Sequence, residues 1–274
     1  MSDAFPYKLV ATDLDGTLLR SDGTVSARTR AALDEACERG AAHIVVTGRA
    51  VPWTRHILDD LGYRGLAVCG QGSQVYDAGT GRLLTSVTLD RRVAGSALER
   101  IEAEVGPLAV AASRDGVDGE VVVGPGYDVG NGGLASLPFE DPATLWAEPL
   151  NKLYIQHPGG LDDDALARAA RLAAGDLVSV TLSGPGIIEL LPLGLNKARG
   201  LSLAARRLGV HASETVAFGD MPNDVPMFAW AERGIAMENA HPELLSVADE
   251  VTGSNEADGI ALVLERLLND QSRA

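Results

Sequence analysis

Cysteine is nearly absent from this chain, with only Cys37 and Cys69 among 274 residues. Two cysteines cannot build a zinc site of the usual kind, and no structural disulfide is expected. One falls in an apparent helix and the other in an apparent strand, where small buried thiols are common. Basic charge is also scarce. Lys and Arg number 23 against 38 Asp and Glu, a net charge of -15, and there is neither a basic stripe nor an Arg–aromatic alternation. Nucleic acid and anionic membranes are therefore excluded as partners. No apolar run approaches membrane-spanning length, and no basic-plus-apolar segment precedes the first strand, so the chain is expected to be a soluble cytoplasmic protein. Its five histidines show no metal-ligand spacing, and its three tryptophans, Trp53, Trp146 and Trp230, are read as packing residues.

What is present is 46 % hydrophobic residues, enough for one large or two unequal domains. Near-continuous apolar strands alternate with helices at both ends of the chain. Leu9–Thr12, Ala42–Val46, Leu66–Cys69 and Thr215–Phe218 are the strands, and Ser26 and Asn196 stand where helix caps belong. That alternation predicts an α/β fold with a doubly wound, mostly parallel sheet, here residues 1–84 and 191–274. The middle, residues 85–190, differs. Strands are expected near 108–112, 120–123, 153–156, 177–182 and 187–191, the last two joined by Ser183-Gly184-Pro185-Gly186 as a hairpin. An inserted α+β domain follows from this pattern. The glycine-rich run 124–136 is expected to be a mobile segment facing a substrate.

The chemistry gathers at strand ends. In Leu9-Val10-Ala11-Thr12-Asp13-Leu14-Asp15-Gly16-Thr17 an apolar strand stops on two aspartates one residue apart. Two carboxylates there repel unless a cation lies between them. Magnesium suits the position, because a hard divalent ion takes oxygen ligands and is commonly shared between carboxylates and a substrate phosphate. A calcium loop would need a glutamate at its twelfth position, and Thr24 occupies it. Three further polar runs end strands or start helices: Thr47-Gly48-Arg49, Asn196-Lys197, and Gly219-Asp220-Met221-Pro222-Asn223-Asp224. In an open α/β sheet, that edge is where ligands bind. A chain this acidic repels phosphorylated molecules at long range, so a phosphate site requires local cations: magnesium, Lys197 and Arg49. Lys197 sits in a helix's first turn, against the dipole by roughly 0.3–1 kcal/mol, a placement that a site needing positive charge explains.

These four runs, in order, resemble the four motifs of the haloacid dehalogenase superfamily of phosphatases. The tail from Ile188 to Leu264, including Ala236-Met237-Glu238-Asn239-Ala240 and Asp258-Gly259-Ile260-Ala261, is similar to the Cof-type group. That group carries a large α/β cap (type IIB) between its second and third motifs, where residues 85–190 lie. The resemblance implies a magnesium-dependent phosphatase acting on a small phosphorylated metabolite, a sugar phosphate or related phosphomonoester, through an aspartyl-phosphate intermediate. It makes Asp13 the nucleophile and Asp15 the general acid and then base. It assigns magnesium to Asp13, Asp220 and the backbone carbonyl of Asp15, with Asp224 and Asn223 in support. Thr47 and Lys197, with backbone amides near Leu14 and Gly48, and Arg49 as a further cation, would hold the phosphoryl group. One departure is Gly70-Gln71-Gly72-Ser73, with Gln71 where relatives often carry asparagine. A phosphomutase with the same motifs and a non-catalytic phosphometabolite-binding protein are the alternatives. Monomer and homodimer both remain open.

Overall fold

Two sheets share the chain in the computed structural model, which describes residues 4–129 and 136–271. The first begins with β1 (Leu9–Thr12), α1 (Ala27–Glu38), β2 (Ala42–Val46), α2 (Val51–Asp60), β3 (Leu66–Cys69), β4 (Gln74–Asp77) and β5 (Arg82–Ser86). The chain then leaves this sheet for α3 (Arg91–Val105), β6 (Ala109–Arg114), β7 (Val121–Val123), β8 (Ser136–Pro138), β9 (Leu150–Gln156), α4 (Asp163–Ala174), β10 (Val178–Gly184) and β11 (Ile187–Pro192). It returns through α5 (Lys197–Leu208), β12 (Thr215–Gly219), α6 (Val225–Trp230), β13 (Arg233–Ala236), α7 (Pro242–Leu245), β14 (Glu250–Val251) and α8 (Gly259–Gln271).

The first sheet has the order β14-β13-β12-β1-β2-β3-β4-β5. It is parallel from β14 to β3, and β4 and β5 add an antiparallel edge. All four residues of β1 are buried, as a strand covered on both faces requires. Alternate side chains serve opposite faces. Val10 packs with α1 and α8 through Leu33, Ala36, Ile260 and Leu264, whereas Leu9 and Ala11 pack with α5 through Leu201, Ala204 and Ala205. Winding in both directions thus buries each face under its own helices. Ser26 Oγ accepts from the Thr29 amide at 2.9 Å and Asn196 Oδ1 from that of Arg199 at 3.0 Å, so both expected caps start their helices.

The inserted part forms a six-stranded sheet, β10-β11-β9-β6-β7-β8, antiparallel except where β7 meets β8. α3 and α4 cover one face, packing Ala94, Ala97, Leu166 and Ala170 on Leu153, Ile155, Ile188 and Leu190. The opposite face carries Lys152, Tyr154 and Glu189 and lies against the first sheet's loops. Here Lys152 Nζ donates to the Gly48 carbonyl at 2.6 Å, and Gln74 Nε2 donates to Asn151 Oδ1 at 3.2 Å.

Three local readings change. β9 starts at Leu150, not Leu153, because Asn151 and Lys152 interrupt the apolar pattern yet find buried partners. The β4–β5 hairpin carries a polar, half-exposed edge strand that periodicity does not mark. Within the glycine-rich run, residues 130–135 lie outside the described residues, and Ser136 already belongs to β8.

Candidate active site

Parallel pairing of β1 with β12 brings two strand ends side by side, Thr12 opposite Phe218. The Asp13 amide continues the ladder, donating to the Phe218 carbonyl at 3.0 Å. Asp220 leaves β12 one residue after Gly219, and the single turn Pro222–Asp224 folds Asp224 back beneath it. Carboxylate oxygens of Asp13, Asp220 and Asp224 consequently lie within 4.8 Å of one another, and all three residues are buried. Lys197, fully buried at the start of α5, reaches Asp13 Oδ1 at 2.8 Å and Asp224 Oδ1 at 2.7 Å. The unfavourable dipole position of this lysine is offset by two direct carboxylate contacts.

Asp224 is fully engaged, since its other oxygen accepts from the amides of Asp220 and Met221, each at 3.2 Å. Asp220 Oδ1 accepts from the Thr17 hydroxyl at 2.9 Å. Gly16 permits this approach. It sits at φ +71°, and a Cβ there would stand 2.3 Å from Asp220 Oδ2. Three carboxylates and one ammonium leave a buried excess of negative charge. Burial raises the pKa of Asp13 well above the usual carboxylate range; Lys197 opposes that rise without cancelling it, and Asp224 and Asp220 add to it. Burial, then the Asp224 charge, push Asp220 up to about 6. Burial alone would lower Lys197, yet Asp13 and Asp224 outweigh it and hold the ammonium above its ordinary value.

Such a cluster fits a hard divalent cation: the donors are carboxylate oxygens, the excess charge is negative, and the groups are already gathered. Asn223 adds a second indication, because its buried Oδ1 has no hydrogen-bond partner among the described residues. A raised folded-state pKa means the folded chain binds protons that the unfolded chain has released. The stability it contributes is present below about pH 4 and lost as pH rises through about 6 for Asp220. A divalent cation held there would replace those protons. At saturating magnesium we expect Tm to rise by about 5–10 °C at pH 7.5 and by much less at pH 5, measured by differential scanning fluorimetry; equal increments at both pH values would contradict a carboxylate site.

The other expected residues divide. Asp15 does not join the carboxylate cluster: its half-exposed side chain is held by the Arg49 fork, Nε to Oδ2 at 2.7 Å and Nη2 to Oδ1 at 2.6 Å. Arg49, expected beside a phosphoryl group, is therefore engaged by Asp15. Thr47 is buried at the end of β2, where its hydroxyl oxygen accepts from the Arg49 amide at 3.1 Å. The Leu14 side chain belongs to the core, leaving only its backbone to the site.

Sequence reasoning assigned no role to four participants. Thr17 positions Asp220. Gln71, at φ +59°, donates through Nε2 to Glu189 Oε2 at 2.6 Å and accepts at Oε1 from Asn223 Nδ2 at 3.2 Å. Glu189 pairs in turn with Lys152, which also holds the Gly48 carbonyl. A signal existed in the chain itself: Lys152 and Glu189 are lone charges inside apolar strands, and such charges are buried only with partners. Gly48 allows the approach, since a Cβ on it would meet Gln71 Nε2 at 2.5 Å.

Comparisons with known proteins identify the family. A family model described as haloacid dehalogenase-like hydrolase matches residues 10–264. The chain is 32 % identical to the 5-amino-6-(5-phospho-D-ribitylamino)uracil phosphatase YwtE of Bacillus subtilis (strain 168), over 96 % of this chain and 99 % of that protein. It is also 32 % identical to the HMP-PP phosphatase of Serratia proteamaculans (strain 568), over 96 % of each. Among solved structures it is similar to BT1666 of Bacteroides thetaiotaomicron, from a study of phosphatases of the haloalkanoate superfamily. The TM-score is 0.77 at 26 % identity, over 97 % of this chain and 96 % of that one. The chain belongs to the haloacid dehalogenase-like hydrolase family. Within that family it is a phosphatase, with the motif-bearing sheet and the inserted cap in one chain.

Proposed function

We propose that this chain is a magnesium-dependent phosphatase that hydrolyses a small phosphorylated metabolite through a phosphoryl group carried on Asp13. The observation that carries the reading is the buried Asp13 carboxylate, 2.8 Å from Lys197 Nζ and within 4.8 Å of Asp220 and Asp224. Two relatives' names point to substrates of the same class, small molecules bearing a phosphate. The cap over the site accords with a substrate small enough to be enclosed. No helix among the described residues is long and apolar enough to cross a membrane, and two free thiols suit a reducing, cytoplasmic setting.

In the proposed reaction an Asp13 oxygen attacks phosphorus as the bond from phosphorus to the leaving oxygen breaks. The Asp15 carboxyl gives its proton to that leaving oxygen. Water then attacks the phosphoryl group, Asp15 takes the water's proton, and the bond to Asp13 breaks, releasing inorganic phosphate. Asp13, Asp220 and the Asp15 carbonyl would hold magnesium, with Asp224 and Asn223 in support; when bound, the ion supplies positive charge for the phosphoryl oxygens. Thr47, Lys197 and the amides near Leu14 and Gly48 donate to those oxygens. An arriving phosphoryl group would compete with the Asp15 carboxylate for the Arg49 guanidinium; Asp15, once freed, takes up from solvent the proton that it gives to the leaving oxygen.

The test is a panel of phosphorylated metabolites assayed for inorganic phosphate with magnesium and with chelator. We expect at least one strong substrate and loss of release on chelation. Turnover indifferent to chelator would contradict the reading, as would phosphoryl transfer that needs a bisphosphate and frees no phosphate, the behaviour of a mutase.

A further inference from the structure

Two stretches of the tail, Ala236-Met237-Glu238-Asn239-Ala240 and Asp258-Gly259-Ile260-Ala261, have no part in the reaction described above. Both meet the loop that follows Asp15. Asp258 adopts φ +58°, a backbone that few side chains accept, and its carboxylate takes Arg20 Nη2 at 2.6 Å. Two residues earlier, Glu256 Oε1 accepts from the Ser21 amide at 2.7 Å. Asn255 Nδ2 donates to the Leu19 carbonyl at 2.9 Å, and the Leu19 amide donates to the Leu14 carbonyl at 2.8 Å. Residues 19–21 are therefore docked along 255–258.

Asn239 reaches further into the loop. Its Nδ2 donates to the Gly16 carbonyl at 2.8 Å, and its Oδ1 accepts from the Asn255 amide at 3.1 Å. Gly16 immediately follows Asp15. Its α-carbon is pressed against Asp220, where a Cβ would stand 2.3 Å from Oδ2, and the next residue, Thr17, donates to Asp220 Oδ1 at 2.9 Å. Residues on either side of Asn239 grip the same strand end: the Met237 amide donates to the Gly219 carbonyl at 3.0 Å and the His241 amide to that of Asp220 at 2.7 Å. Segment 237–241 consequently joins two turns at once, one bearing Asp15 and the other Asp220.

We infer that Asn239 is a positioning residue for Asp15: its hydrogen bond to the Gly16 carbonyl fixes the turn from which the Asp15 side chain approaches the leaving oxygen. The inference rests on the reading of Asp15 as general acid and adds a residue to it. Gly16, at φ +71°, lacks the steric limits that a Cβ imposes, so this turn needs an outside contact to hold one conformation. The Arg49 fork holds the Asp15 carboxylate itself; once a phosphoryl group draws that fork away, the backbone contacts of the turn are what aim the side chain. Misplacing such a group by about 1 Å can cost about 10²-fold in rate. Asn239 is exposed, and water can replace its donor, but a water molecule is not anchored to Asn255 and the end of β12.

The test compares kcat/KM for two kinds of leaving group. This constant covers the steps through transfer of the phosphoryl group to Asp13, in which an alkoxide needs a proton from Asp15 and a nitrophenolate barely does. The substrates are p-nitrophenyl phosphate and whichever alkyl phosphate turns over fastest in a panel that includes ribose 5-phosphate and glucose 6-phosphate. The isosteric Asn239→Asp keeps an acceptor for the Asn255 amide and loses the donor to Gly16. It should lower kcat/KM for the alkyl phosphate by about 10–100-fold and for p-nitrophenyl phosphate by about threefold or less. Asn239→Ala should show the same selectivity, and Asp15→Asn, the reference, should show it more strongly. A folding defect would lower both constants alike. Equal losses on both substrates in the Asn239 variants, or no loss on either, beside a selective loss in Asp15→Asn, would overturn the inference and leave the acid role of Asp15 standing. An unselective loss in Asp15→Asn as well would remove that acid role and the inference together.

Discussion

Asp13→Asn is expected to cut phosphate release by about 10⁴-fold or more while leaving the chain folded. The magnitude is that of removing a nucleophile from a site whose remaining groups only bind and position. The accompanying stability change has a definite sign. Burial holds the Asp13 pKa well above its ordinary value, so the stability linked to that group is present below about pH 4 and is lost as pH rises through the raised value, beyond which folding must keep a charged carboxylate in a negative cluster. An amide of the same shape removes that charge, and Lys197 keeps Asp224 at 2.7 Å. Metal-free Asp13→Asn should therefore melt at or above the parent's Tm at pH 7.5, and its increment on adding magnesium should shrink. Lost activity together with a fall of several degrees would instead mark Asp13 as a structural residue. Retained activity would remove it from the reaction.

The second large effect concerns the contact between cap and core. Glu189→Ala would leave the Lys152 ammonium buried without its counter-charge, 1 % exposed where Glu189 is 2 % exposed. Breaking one partner of such a pair costs about 3–5 kcal/mol, whereas replacing both by apolar residues of similar size is often neutral. Thermal unfolding should fall by about 10 °C in Glu189→Ala and recover most of that in the double variant Lys152→Met, Glu189→Leu. Activity should not recover with it. The pair also fixes the Gly48 carbonyl and, through Gln71, Asn223, so it positions the loop 47–49 and the turn bearing Asn223. A double variant with full kcat/KM would show that the pair serves stability alone. A single variant with unchanged Tm would show that the charges are not buried in solution.

The parts of this protein that were legible in the chain are those governed by local pattern. Strand β1 reads as buried on both faces because Leu9–Thr12 is uninterrupted by charge. The doubly wound sheet reads from the alternation of such strands with capped helices, Ser26 and Asn196 among the caps. The carboxylate cluster was half legible: aspartates at two strand ends imply a cation only if those strands are neighbours. Pairing of β1 with β12, separated by some two hundred residues, supplies that condition. Asp15 shows the limit of spacing as evidence. Alternation places it near Asp13, and only the folded loop carrying Arg49 turns its carboxylate out of the cluster.

The cap resisted reading for a physical reason. Its chemistry lies in residues whose meaning depends on contacts across the domain boundary: Lys152 and Glu189 on its own sheet, which meet Gly48 and Gln71 of the core. In isolation a lysine interrupts the apolar pattern of a strand, and a glutamine among glycines gives no sign of its partners. By itself the amino-acid order determined the fold class and the identities of the acidic, hydroxyl and basic residues available to phosphoryl chemistry, since hydrophobic period and motif are local properties. Tertiary structure alone decided which carboxylates share a charge and which arginine is engaged, because electrostatic coupling acts through space between segments far apart in the chain.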